Sequence, residues 1–163
     1  MERNGKKSSK SNTMTTSTEK NTATVLHLST LTQYFIPLGN YFFPILIWAF
    51  RKDKSDFVDY TGKQALNFQL SMLLYSLVLA AIAIPTLLYS IFSNVSIHQF
   101  EQGDFQLEQL TAGNITGIAT IALSAVFLFA ALKVAEFFLI IYAAVKTSNG
   151  ERYRFPMSIS FLK

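Results

Sequence analysis

Lys133 and Glu136 stand three residues apart inside the most apolar stretch of the chain, ALSAVFLFAALKVAEFFLIIYAAV. Residues at that spacing share a helix face, so an ammonium and a carboxylate there can pair. With Lys146 as the edge of the stretch, the helical rise puts Glu136 about 15 Å and Lys133 about 20 Å deep. Ionisable groups at such depth in a bilayer face protein or water, and by default they suggest function. The functional reading is a proton or ion relay. The structural reading is mutual neutralisation against a helix bundle, with snorkelling of Lys133 if the helix is shifted.

A second set of polar groups lies on one helical face. Tyr60, Lys63, Gln64, Asn67, Ser71 and Tyr75 recur at i, i+3, i+4, i+7, i+11 and i+15. Read functionally, the face is a polar pathway or substrate contact. The preferred reading is structural: these side chains satisfy backbone that is broken elsewhere. Pro37, Gly39, Asn40 and Pro44 mark such a break. Proline removes a donor from the helical ladder, and glycine permits a tight bend. Broken backbone at membrane depth must be shielded by protein. Gln64 and Asn67 are the expected shields.

The remaining chemistry is sparse. There is no cysteine, which excludes disulfides, thiolate metal sites and cysteine nucleophiles. His27 and His98 are the only imidazoles, and two separated histidines do not make a metal site. No nucleophile–base–acid set and no phosphate-cradling glycine loop is visible. Ser124 and Lys133 lie nine residues apart on one helix, out of mutual reach. No catalytic residue, metal or cofactor is predicted, and the chain is expected not to be an enzyme.

These residues sit on elements defined by hydropathy. Half of the 163 residues are hydrophobic and 15% are charged, against about 25% charged in soluble domains. Three apolar segments cover 25–50, 65–92 and 115–145. Each exceeds the roughly 20 residues that a spanning helix needs. Buried helices of soluble bundles keep a polar face along their length, and LLYSLVLAAIAIPTLLYSIF and ALSAVFLFAALKVAEFFLIIYAAV do not. The chain therefore reads as an integral membrane protein with the lipid bilayer as its main partner. Its length allows one domain, 23–163, behind a polar and basic tail, 1–22, predicted to be disordered.

Thirteen of the fourteen Lys and Arg lie outside the apolar segments, Lys133 being the exception. Charges placed this way are topology signals, and no recognised motif supports nucleic-acid binding. The outer loop, 94–114, carries Glu101, Asp104 and Glu108 and no Lys or Arg. The 51–63 loop and the C-terminal tail, 147–163, are basic. The positive-inside rule places both basic stretches in the cytoplasm, which makes the second and third segments a transmembrane hairpin. The first segment either crosses once as a kinked helix or dips in and returns. The re-entrant form is preferred, because it also keeps the basic N-terminal tail on the cytoplasmic side. Thr116, Thr120, Ser124, Ala131 and Ala135 offer a small-residue packing face toward the second segment. After an Asn149-Gly150 stop signal, ERYRFPMSISFLK alternates with period two and predicts an extended amphipathic tail.

The order of HLSTLTQYFIPLGNYFFPILIWAFRKDKSDFVDYTGKQALNFQLS, two apolar spans and IYAAVKTSNGERYRFPMSISFL resembles the bacterial domain-of-unknown-function family forty-eight-seventy, often labelled Tic-twenty-like. The resemblance covers about 25–80 and 138–162, with FVDYTGKQALNFQLS and NGERYRFP as its specific blocks. It implies likeness to a chloroplast inner-envelope import component and carries over no catalytic residue.

The expected fold is an all-α membrane protein: a proline-broken first segment, a two-helix transmembrane hairpin and a short extended amphipathic tail. The expected role is non-enzymatic, a scaffold or accessory in protein translocation or envelope homeostasis at the bacterial inner membrane. The alternative is a small channel or transporter subunit using the polar face of the second helix and the Lys133–Glu136 pair. Other membrane proteins or self-association are the further partners to expect.

Overall fold

Thr16 and Glu19 start the first helix. The Thr16 hydroxyl accepts from the Glu19 amide at 3.3 Å, and the Glu19 carboxylate accepts from the Thr16 amide at 2.7 Å. This reciprocal cap satisfies donors that a helix otherwise leaves open. In the computed structural model, which describes residues 15–92 and 112–163, helix α1 accordingly runs Ser17–Ser29. Helix therefore begins inside the stretch 1–22 that composition assigns to a disordered tail. Residues 1–14 of that tail, and almost all of the 94–114 loop, lie outside the described residues.

From α1 the chain continues as a tighter helical turn, Thr30–Tyr34, and then reverses. Leu38 holds the reversal with φ of 63°, a left-handed conformation that costs an L-residue roughly 1–2 kcal/mol. Gly39 follows because a Cβ there would lie 2.6 Å from Thr32 Oγ1. Helix α2, Gly39–Arg51, runs back from this turn. Its end returns to the start of α1: Thr16 and Glu19 share a crevice with Arg51 and Ser55. Hydrogen bonds from Ser55 and from Thr16 hold the Glu19 carboxyl below its usual range. The first apolar segment is thus a closed hairpin, not one kinked rod. Pro44 is not part of the break; it lies buried within α2. The reversal falls at Phe35–Leu38, where Pro37 and the left-handed Leu38 act together.

A short turn, Lys52–Lys54, leads to α3, Asp56–Phe92, and the chain ends with α4, Ala112–Ser148, and an irregular tail. At 37 residues each, α3 and α4 extend about 55 Å. Only one half of each helix is covered. Buried residues of α3 lie between Phe57 and Met72. Those of α4 begin at Glu136 and include Ile140, Ala143, Ala144 and Thr147. The first core joins Ala23, Leu26, Phe57, Val58 and Ala65 with Ile47 and Trp48. The second joins Phe68, Met72, Ile140, Ala143 and Phe155.

The other halves are bare. No residue of 73–92 or 115–135 is buried, and Leu77, Ile82, Leu123 and Phe127 are 57–72% exposed. The most apolar windows of the two helices are 11% and 0% buried, so neither is the core helix of a soluble fold. Apolar surface this continuous calls for a nonaqueous surround. Thr116, Thr120, Ser124, Ala131 and Ala135 also lie exposed and are not buried against α3 among the described residues. Thr120 and Ser124 donate to their own helix, at 2.7 and 2.8 Å.

Asn149-Gly150 stops α4 as expected. Gly150, at φ of 86°, donates to the Thr147 carbonyl, and the Glu151 amide donates to that of Lys146 at 3.1 Å. This pair of bonds is the Schellman closure. The tail beyond it forms no strand.

Gly62 sets the distance between α2 and α3. A Cβ there would lie 2.6 Å from Trp48 Cγ, while the indole N–H of Trp48 is committed to Asp59 at 2.9 Å. Gly62→Ala is expected to push the indole away and lower stability by about 1–3 kcal/mol. Thermal unfolding in detergent and the emission of the single tryptophan both report the change; unaltered unfolding and emission would show that the two helices are not in close contact.

Candidate functional site

The reversal of the first hairpin carries its tip to α4. Gln33, at the end of the tight turn, donates through Nε2 to Glu136 Oε1 at 2.9 Å. Lys133 Nζ donates to Glu136 Oε2 at 2.8 Å and to Gln33 Oε1 at 3.5 Å. The Tyr34 hydroxyl reaches the Lys133 carbonyl at 3.5 Å. Glu136 is 1% exposed, whereas about a third of the Lys133 side chain remains open. The ammonium also lies over the Phe129 ring, 5.8 Å from its centroid. Helical spacing had anticipated the pair but not its third member. Gln33 was visible only as a lone polar residue before the FIP break.

The carboxylate thus has a partner for each oxygen, and its cation can still reach the helix surface. A buried ion pair is neutral only while both partners are present. The arrangement fits structural neutralisation. A relay would need a chain of exchangeable groups leading away from Glu136, and among the described residues its hydrogen bonds close on Gln33 and Lys133.

The polar face of α3 has a different role from the one predicted. Asn67 does not shield the proline break. Its Oδ1 accepts from the amides of Phe161 and Leu162 at 3.0 and 2.7 Å, and its Nδ2 donates to the Leu162 carbonyl at 3.0 Å. Ser71 Oγ accepts from the Ile159 amide at 2.8 Å, and the Tyr75 hydroxyl donates to the Met157 carbonyl at 2.7 Å. Residues 67, 71 and 75 therefore serve the backbone of the irregular tail as side-chain partners. Phe155 locks the start of the tail, stacked on Phe68 with centroids 4.0 Å apart.

Shielding of the reversal falls to Gln69, which the face-spacing argument missed because it lies off that stripe. Asn40 Nδ2 donates to Gln69 Oε1 at 2.7 Å, and the Tyr41 hydroxyl donates to the Gln69 carbonyl at 3.2 Å. Lys63 belongs to neither network; it pairs with Asp59 at 2.7 Å on the surface. Gln64 is half-buried beside it. Among the described residues, no three His, Cys, Asp or Glu converge to hold a metal ion.

Removing one partner of the ion pair should be worse than removing both. Lys133→Met is expected to cost about 3–5 kcal/mol by stranding the buried carboxylate, with Lys133→Met/Glu136→Leu recovering much of the loss. Detergent unfolding of the three proteins decides, and a double variant weaker than Lys133→Met would remove the neutralisation account. Asn67→Leu should release the tail and lower folded yield. Limited trypsin digestion reads this as faster cleavage after Arg152 and Arg154, and unchanged cleavage would show that the clamp is not needed.

Residues 18–162 match the magnetosome magnetite crystal formation protein family. No curated protein and no solved structure matches the chain. The match corrects the resemblance to family forty-eight-seventy: FVDYTGKQALNFQLS and NGERYRFP fall within a span that identifies a different family. The Tic-twenty-like label, and the import likeness it implied, are withdrawn.

Proposed function

The chain belongs to the magnetosome magnetite crystal formation protein family, and from that premise we propose that it is a non-enzymatic scaffold of the magnetosome membrane that acts in forming the magnetite crystal. The observation that carries the scaffold reading is the internal commitment of the two polar networks that the sequence offers for transport. Gln33, Lys133 and Glu136 satisfy one another, and Asn67, Ser71 and Tyr75 hold the tail. A channel using the polar face of α3 has less support, since the tail covers that face. What remains available is apolar helix surface, suited to lipid or to other membrane proteins.

In this reading α3 and α4 cross the bilayer. The closed first hairpin enters from the basic side and returns, so that its two ends, the 51–63 loop and the C-terminus remain cytoplasmic. The segment 94–114 then faces the opposite compartment, where the crystal grows.

Two measurements test the reading. Deleting the gene in a magnetosome-forming bacterium should change the size or shape of the crystals under electron microscopy, and the intact gene should restore them; crystals indistinguishable from the parent's would refute a role in crystal formation. Single cysteines are clean reporters because the chain has none. On isolated magnetosomes an impermeant maleimide should label Lys10→Cys and leave Asp104→Cys protected. Protection of the first, or labelling of the second, contradicts the orientation.

A further inference from the structure

The open end of the first hairpin carries Arg51 and Lys54. Two adjoining grooves open there, both bordered by Thr22 and Arg51. One, of about 300 Å³, is lined by Thr18, Glu19, Lys54 and Ser55. The other, of about 530 Å³, is lined by Val25, Ile47 and Phe50. Val25 is 54% and Phe50 73% exposed, so the described residues leave this apolar wall uncovered.

The charges follow the same order. Arg51 and Lys54 make no ion pair among the described residues. Glu19, the acidic group in the polar groove, is engaged by Thr16 and Ser55. Lys52, between the two cations in sequence, is turned over the Trp48 ring, 5.2 Å from its centroid. Asp53 and Asp56 flank the cations along the chain but do not line either groove. The joined grooves are therefore apolar toward the hairpin and cationic toward its open end. This is the order of a phospholipid at a membrane edge, acyl chain inward and phosphate outward. A guanidinium fork suits the phosphate geometrically.

We propose that the joined grooves bind one anionic phospholipid, with an acyl chain along Val25, Ile47 and Phe50 and the phosphate at Arg51 and Lys54. The proposal requires the chain to sit in a bilayer and is independent of the scaffold role.

Trp48, the single tryptophan, neighbours Ile47 on α2 and reports nearby acyl chains. The full-length protein is reconstituted in phosphatidylcholine vesicles with a minor fraction of lipid brominated on its chains. Brominated phosphatidylglycerol should quench Trp48 several-fold more than brominated phosphatidylcholine at the same fraction, because basic groups concentrate anionic lipid. Arg51→Gln with Lys54→Gln should abolish the difference. Arg152→Gln with Arg154→Gln, which removes as much charge from the tail, should preserve it.

Equal quenching by the two lipids overturns the proposal. So does a tail pair that removes the difference as fully as the groove pair, which would mean diffuse attraction and no site. Loss of the difference on adding inorganic phosphate would assign the cations to free phosphate and overturn the lipid. Quenching by neither lipid would overturn the membrane placement together with the site.

Discussion

The Glu136 carboxylate, 1% exposed, is the constraint around which this small fold closes. A charge removed from water is tolerated only when it is paired and hydrogen-bonded. Lys133 supplies the counter-charge from one turn away on the same helix, and Gln33 supplies the second bond from the tip of the first hairpin. The bonds that neutralise α4 therefore also fasten the hairpin tip to it. Gln33 lies just before the reversal, where the backbone leaves its helix. The polar group that needs a partner and the irregular segment that needs an anchor thus meet at one place.

The same rule explains the other polar side chains of the interior. Gln69 takes Asn40 and Tyr41 from the first turn of α2. Asn67, Ser71 and Tyr75 take amides and carbonyls from the tail. The tail is not a strand, and no strand lies beside it among the described residues. One face of a helix, with polar groups about one and two turns apart along its length, takes those amides and carbonyls instead. The result is a covered base, where α1, α2, the tail and half of α3 and α4 pack together, below two bare apolar helices. Bare apolar helices of this length suit a membrane protein, in keeping with the magnetosome family to which the chain belongs.

Much of this was legible from residue types and local spacing. The apolar lengths of α3 and α4, the Gly150 stop and the Lys133–Glu136 pair follow from hydropathy, backbone conformation and helical periodicity, each of which acts over a few residues. The start of α1 is equally local: Thr16 and Glu19 form a capping box that composition alone obscured, because the surrounding stretch is polar. The family was not legible in the same way. The blocks around residues 57–71 and 149–156 suggested one family, and the match over 18–162 identifies another.

The sequence by itself determined where helix, apolar surface and charge occur, because those properties depend on neighbours in the chain. Only the tertiary structure decided which polar groups answer one another. Gln33 with Glu136, Asn40 with Gln69, and Asn67 with Leu162 are separated by 103, 29 and 95 residues. No periodicity relates positions so far apart. Their pairing arises when the hairpin folds back and the tail returns, and buried polar atoms then take the partner that geometry brings within reach.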